Sequence, residues 1–227
     1  MNVRRLGVLG GTFDPIHVGH LDAADAARAA LALDEIVLIP AHDQPLRTVE
    51  PRATVYQRFA MTVLAVDERP DWRVSDIELV RQGRSYTGDT LRTLRDEGWR
   101  ASQIFFILGT DAFAGIASWH GYPRIFDLAH FVVIARPGTT IDDATARTPE
   151  LRSRTLLLAK EDDNIEGATR IYLVHAHTRD VSSTMIRERL AGGLPIDDLV
   201  PPRVARHIQK HHLYGAVDKL HGEDERL

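Results

Sequence analysis

The stretch "GGTFDPIHVGH", residues 10–20, concentrates the residue types that handle anions. Gly10 and Gly11 carry no Cβ, so the backbone can turn tightly and a ligand can approach it. Thr12 offers a hydroxyl, Phe13 and its neighbours offer backbone N–H groups, and His17 and His20 offer two imidazoles three residues apart. Gly19 opens a helical run whose N-terminus is itself an anion site. Phosphate is the ligand this set would suit. Neither the dinucleotide spacing GxGxxG nor a phosphate loop ending in GK[ST] is present. Zinc fits poorly, because the two histidines have no cysteine and no nearby third ligand to complete a tetrahedron. The plain alternative is a glycine turn with two satisfied histidines. A second group, "SSTMIR" at 182–187, sets Ser182, Ser183 and Thr184 ahead of Arg187. Hydroxyls at a helix start are also ordinary capping residues.

The elements around these groups alternate between two periodicities. "RRLGVLGG", "EIVLIP", "IFFILG", "HFVVIARPG" and "TRIYLVHA" read as buried strands. "WRVSDIELV" reads as a strand pair or a bent strand. Helices are expected in "HLDAADAARAALAL", at 53–67, in "TGDTLRTLRDE" and "TDAFAGIASW", and in "SSTMIRERLAGG" and "PPRVARHIQKHHLYG". Strands separated by helices predict an α/β fold with a doubly wound parallel sheet in a single domain, 1–227. Residues 138–154 read as a flexible loop and 216–227 as a solvated tail. Ligands of such sheets bind beyond the carboxyl ends of the strands. That places Gly10–His20, Gly109–Asp111, Arg136 and Ser182–Thr184 along one edge.

Composition narrows the class. The chain has 227 residues, 44% hydrophobic and 26% charged, with a net charge of −4 and no cysteine. Disulfides, thiolate metal sites and thiol nucleophiles are excluded. No global basic field draws the protein to nucleic acid or to anionic lipid, and no apolar stretch reaches membrane-spanning length. A cytoplasmic protein is expected.

At these residues the chain resembles a known family. "GGTFDPIHVGH" is similar to the HxGH signature of adenylyl- and cytidylyltransferases, and "SSTMIR" resembles their [ST]xxxIR element. "SYTGDTL", "ILGTDAF", "SWHGYPRIF" and "VVIARPG" resemble the bacterial nicotinate-nucleotide adenylyltransferases, so a Rossmann-like nucleotidyltransferase fold is implied. Pantetheine-phosphate adenylyltransferases share the first motif without these middle ones. One loop departs: the family's PANxPPHK stands here as "PAHDQPLR", with Leu46 for histidine and Arg47 for lysine. Arginine meets phosphate as a planar fork rather than as a compact ammonium.

The resemblance implies transfer of the adenylyl group of ATP to nicotinate mononucleotide, with Mg²⁺ accompanying ATP. It places ATP on Gly10, Gly11, Thr12, Phe13, His17, His20, Gly109, Asp111, Ser182, Ser183, Thr184 and Arg187, with His17, His20 and Arg187 catalytic. The mononucleotide falls to Arg47, Tyr86, Thr87, Thr110, Asp111, Trp119 and Arg136. No protein metal ligand is implied, and a homo-oligomer is compatible with the chain. Another HxGH adenylyltransferase, or a nucleotide-binding protein without turnover, is the alternative.

Overall fold

A computed structural model describes residues 4–46, 49–136, 138–158 and 168–216. Seven strands form one sheet in the order β3-β2-β1-β4-β5-β7-β6, with every pair parallel. They are β1 (Leu6–Gly11), β2 (Glu35–Pro40), β3 (Trp72–Val74), β4 (Ile104–Gly109), β5 (His130–Ala135), β6 (Thr155–Leu157) and β7 (Ile171–His175). A parallel sheet is covered on both faces, which is why the central strands read as unbroken apolar runs. Alternate residues serve opposite layers. Leu9, Ile36, Leu38, Phe105, Ile107, Val132 and Ile134 face α1 (Val18–Leu31), α2 (Val55–Val66), α7 (Ser183–Ala191) and α8 (Pro202–Lys210). Val8, Val37, Ile39, Phe106, Leu108, Phe131 and Val133 face α4 (Thr87–Asp96) and α5 (Thr110–Ala114).

The chain runs from β1 outward to β2 and β3, then returns to the other side of β1 for β4 and β5. The order therefore reverses between β1 and β4. The crevice beyond their carboxyl ends is where such a sheet takes a ligand.

Three expectations need correcting. "WRVSDIELV" is neither a strand pair nor a bent strand: after Trp72–Val74 the chain forms α3 (Ile77–Arg81). β3 pairs with β2 only at Ile36–Leu38, and beyond the Ser75 N–H to Leu38 O bond the chain turns away. Residues 138–154 hold more regular structure than a loop, with α6 (Ile141–Thr145) and a 3₁₀ segment at Pro149–Arg154. Thr140 and Asp143 cap one another's backbone N–H, a reciprocal pair visible in "TIDD", and Leu151 is buried. β6, the short edge strand that follows in the apolar run "TLLL", was not expected. Of the expected tail, Ala216 is buried against the core, because Tyr214 anchors the chain just before it; 217–227 lie outside the described residues.

Candidate active site

The signature loop is held from three sides. The Asp14 carboxylate, fully buried, accepts from the N–H groups of Arg52 (2.9 Å) and Ala53 (3.1 Å) and from the Tyr214 hydroxyl (2.9 Å). Burial beside that carboxylate pushes the Tyr214 phenol well above its ordinary range. From α7, Arg187 donates to Asp14 O (2.7 Å) and to Thr184 Oγ1 (2.9 Å), while Ser183 Oγ donates to Pro15 O (2.9 Å). From α2, buried Arg58 donates to Thr12 O and to Ala41 O, each at 2.7 Å. Loops of this kind move unless their backbone groups are satisfied, and here they are satisfied by remote segments.

The two histidines emerge at the start of α1. The His17 N–H donates to His20 Nδ1 at 3.2 Å. That nitrogen must therefore present its lone pair, which leaves the His20 proton on Nε2 as a donor. The rings stack with centroids 3.7 Å apart. Burial pulls His17 down to about 4 against the opposing pull of Asp22, and burial together with His17 holds His20 well below the usual imidazole range. Both are neutral donors near pH 7. Gly19 leaves room between them: a Cβ there would lie 3.2 Å from both Arg179 O and His17 Nδ1, so a neighbour would have to give by a few tenths of an ångström.

His17, Gly19, His20, Gly109, Thr110, Asp111 and Arg136 line one cleft of about 740 Å³, together with the loop Ala176–Val181. Arg179 closes its far wall by pairing with Asp22 of α1 (2.6 Å). A second cavity, about 330 Å³, is lined by Gln44, Pro45, Leu46, Ser85, Tyr86, Thr87, Trp119 and His120. It continues into a small inner space bounded by Gly10, Gly11, Glu78, Thr90 and Phe106, sharing Gln44, Ser85, Thr87 and Trp119 with it. Its two walls are tied together: the Ser85 N–H donates to Asp43 O (2.7 Å), and the His42 N–H donates to Ser85 Oγ (2.9 Å). Thr90 donates to the buried Glu78 carboxylate, whose pKa burial raises. Tyr86, the residue before α4, gives no side-chain cap to the Thr87 and Gly88 N–H groups, while the Asp89 N–H donates to Tyr86 O (3.0 Å).

The sequence-expected residues thus fall into groups. His17, His20, Gly109, Thr110, Asp111 and Arg136 share the first cleft. Tyr86, Thr87 and Trp119 share the second cavity, and Gly10 and Gly11 the inner space. Arg136 stands apart from Tyr86 and Trp119, 4.0 Å from Asp180. Phe13 is buried with its ring edge-on to His20, so only its backbone is offered to a ligand. Thr12 Oγ1 donates to Gln44. Ser182 Oγ caps α7 by accepting from the Met185 N–H (3.1 Å), the plain role its sequence position allows. Arg47 lies outside the described residues. Sequence reasoning missed Arg58, Glu78, Gln44 and the loop Ala176–Val181. Arg58 did leave a signal: with Met61, Thr62 and Ala65 it marks an arginine on a buried helical stripe at i, i+3, i+4 and i+7.

The cytidylyltransferase-like family model matches residues 8–189. A protein of Roseiflexus sp. (strain RS-1), named probable nicotinate-nucleotide adenylyltransferase, is 41% identical over 94% of this chain and 100% of its own. One of the same name from Herpetosiphon aurantiacus is 40% identical over 93% of this chain and 99% of its own. Among solved structures, the Plasmodium falciparum nicotinic acid mononucleotide adenylyltransferase complexed with NaAD shares the fold. Its TM-score is 0.67 at 19% identity, covering 93% of this chain and 97% of that one.

Proposed function

We infer that this chain, which belongs to the cytidylyltransferase-like family, transfers the adenylyl group of ATP to nicotinate mononucleotide. The products are nicotinate adenine dinucleotide and pyrophosphate. The observation that carries this is the pair of sites at the carboxyl end of β1. One is walled by two neutral imidazole donors, the other by Trp119 and the uncapped start of α4. Relatives that match nearly end to end carry the name of that activity.

The chemistry asks little of the protein beyond placement. A phosphate oxygen of the mononucleotide attacks the α-phosphorus of ATP, a P–O bond forms, and the bond to the β-phosphate oxygen breaks. The attacking oxygen is already anionic, so no general base is needed, and catalysis rests on alignment and charge stabilisation. His20 Nε2–H is assigned to the α-phosphate and His17 to its neighbour. Gly10, Gly11, Thr12 and Phe13 are assigned to ATP as the backbone turn from the end of β1 that leads to the imidazoles. Gly109 and Asp111 are assigned to the ribose or adenine end of ATP. The Ser183 N–H, the hydroxyl being spent on Pro15 O, and Thr184 are assigned to the terminal phosphates, with those Arg187 donors not spent on Asp14 O and Thr184 Oγ1. Trp119 stacks on the pyridine, and the N–H groups at Thr87 and Gly88 receive its carboxylate.

Mg²⁺ fits as a companion of the nucleotide. Mg²⁺ of this kind takes its ligands from substrate phosphates with one or two carboxylates at most, and among the described residues no three histidine, aspartate or glutamate side chains converge as a metal cage. When bound it supplies charge neutralisation on the triphosphate. Among the described residues no helix is long and apolar enough to cross a membrane.

Pyrophosphate release from ATP, with nicotinate mononucleotide, nicotinamide mononucleotide and pantetheine phosphate as separate acceptors, tests the reading. Turnover is expected to be fastest with the first. A preference for pantetheine phosphate, or no turnover with any acceptor, overturns it.

A further inference from the structure

We propose that Arg58 is a positioning residue that locks the acceptor-binding wall to the signature loop through three backbone carbonyls. The inference rests on the adenylyl-transfer reading above. Arg58 is 1% exposed, and among the largest side chains to be fully buried. Burying a guanidinium is expensive unless its donors are met. Three of its N–H donors are met here, by Thr12 O and Ala41 O at 2.7 Å and by His42 O at 3.2 Å.

The three acceptors are not scattered. Gly11 of β1 and Pro40 of β2 are in register as the strands end, and the Ala41 N–H donates back to Gly11 O at 2.8 Å. Past that point the ladder stops and two loops diverge. One becomes the HxGH signature; the other, residues 41–46, becomes a wall of the second cavity through Gln44, Pro45 and Leu46. Arg58 reaches up from α2 and bonds the first residues of both loops, in effect extending the sheet where it has run out. The Thr12 to Gln44 hydrogen bond then fixes the loops a second time, nearer the ligand. The flat guanidinium fork can serve several carbonyls at fixed angles, whereas a lysine ammonium presents a point charge on a flexible stem.

The three carbonyls that Arg58 bonds belong to residues outside the lining of the first cleft. Loss of its fork therefore misplaces the acceptor relative to ATP while leaving the ATP cleft standing. A misplacement of about 1 Å costs on the order of a hundredfold in rate.

Arg58→Lys and Arg58→Ala are compared with the wild-type enzyme for KM of nicotinate mononucleotide, kcat, affinity for a non-hydrolysable ATP analogue, and melting temperature. Arg58→Ala is also assayed with added guanidinium chloride at non-denaturing concentration, with methylammonium as the control cation. Expected for Arg58→Lys is a fall in kcat/KM for the mononucleotide of about a hundredfold, with a smaller loss of analogue affinity, no more than about tenfold, since of the three carbonyls it bonds only that of Thr12 belongs to a residue assigned to ATP. Guanidinium, but not methylammonium, is expected to restore turnover to Arg58→Ala. If Arg58→Ala does not fold, Arg58→Lys carries the test alone. Wild-type-like kinetics in Arg58→Lys, or equal weakening of both ligands, overturns the inference. A wild-type enzyme inert toward nicotinate mononucleotide instead sinks the underlying functional reading.

Discussion

Replacing His20 by asparagine separates its two jobs. In the fold, Nδ1 accepts the His17 N–H at 3.2 Å, and Nε2–H is left as a donor. An asparagine side chain can return an acceptor near the Nδ1 position but is too short to place a donor where Nε2 stood. His20→Asn should therefore keep the start of α1 intact and lose only the phosphate contact. Removal of one such preorganised donor costs about 10²–10³ in kcat, or roughly 3–4 kcal/mol of transition-state stabilisation. His20→Ala loses the same donor and also strands the N–H of buried His17, an extra cost to stability of about 1–3 kcal/mol. Pyrophosphate release at saturating ATP, Mg²⁺ and nicotinate mononucleotide gives kcat, and thermal unfolding gives stability. The expected pattern is a shared fall in kcat, with a lowered melting temperature in the alanine variant alone. If His20→Asn retained kcat within about threefold of the wild type, Nε2 would not meet the developing charge, and the tautomer argument would fail.

The remaining predictions use the same geometry. His17 and His130 are pulled down to about 4, each by burial first, so the unfolded chain binds more protons than the fold. Stability should be full above pH 6.5 and fall by a few kcal/mol per histidine toward pH 4 in urea titrations; His130→Asn should flatten that slope, and an unchanged slope would exclude His130. Because Tyr86 leaves the start of α4 uncapped, a carboxylate there gains two N–H bonds where a carboxamide strands a donor. Nicotinate mononucleotide should then be preferred over its amide by at least about a hundredfold in kcat/KM, and a ratio near one would move the carboxylate site elsewhere. Arg187→Ala removes the bond to Asp14 O and should raise the KM for ATP about tenfold or more with a smaller change in kcat. A rise confined to the KM of the mononucleotide would place Arg187 at the other substrate.

What the sequence disclosed depended on whether a group's partners were near in the chain. The strands of the central sheet were legible because burial on both faces leaves no alternation to confuse, and the signature histidines because glycine and imidazole are so dense around them. α3 was misread because its five residues are too few to reveal a helical period. Asp14 escaped for a different reason. Asp14 is paired with Tyr214, two hundred positions away, and local patterning carries no trace of such a partner. Arg187 was singled out from the motif it ends, but that its guanidinium holds Asp14 O was invisible until the fold brought α7 against the loop.

The distribution of charge in the site follows one logic. The first cleft counts Arg136 and Arg179 among its lining residues, but also Asp111 and Asp180, and Arg179 is already committed to Asp22. Arg58 and Arg187 turn donors onto backbone carbonyls of the signature loop. The groups nearest the start of α1 are imidazoles held neutral by burial. A cleft crowded with free cations would grip pyrophosphate as firmly as the triphosphate, and binding shared by both ground state and transition state does not raise kcat. Neutral donors fixed in position cost no reorganisation and strengthen as negative charge builds on the oxygen they face. On the proposed assignment, Arg58 and Arg187 hold the loop through its backbone carbonyls, and the two histidines it carries are the groups placed to meet the charge that develops during transfer.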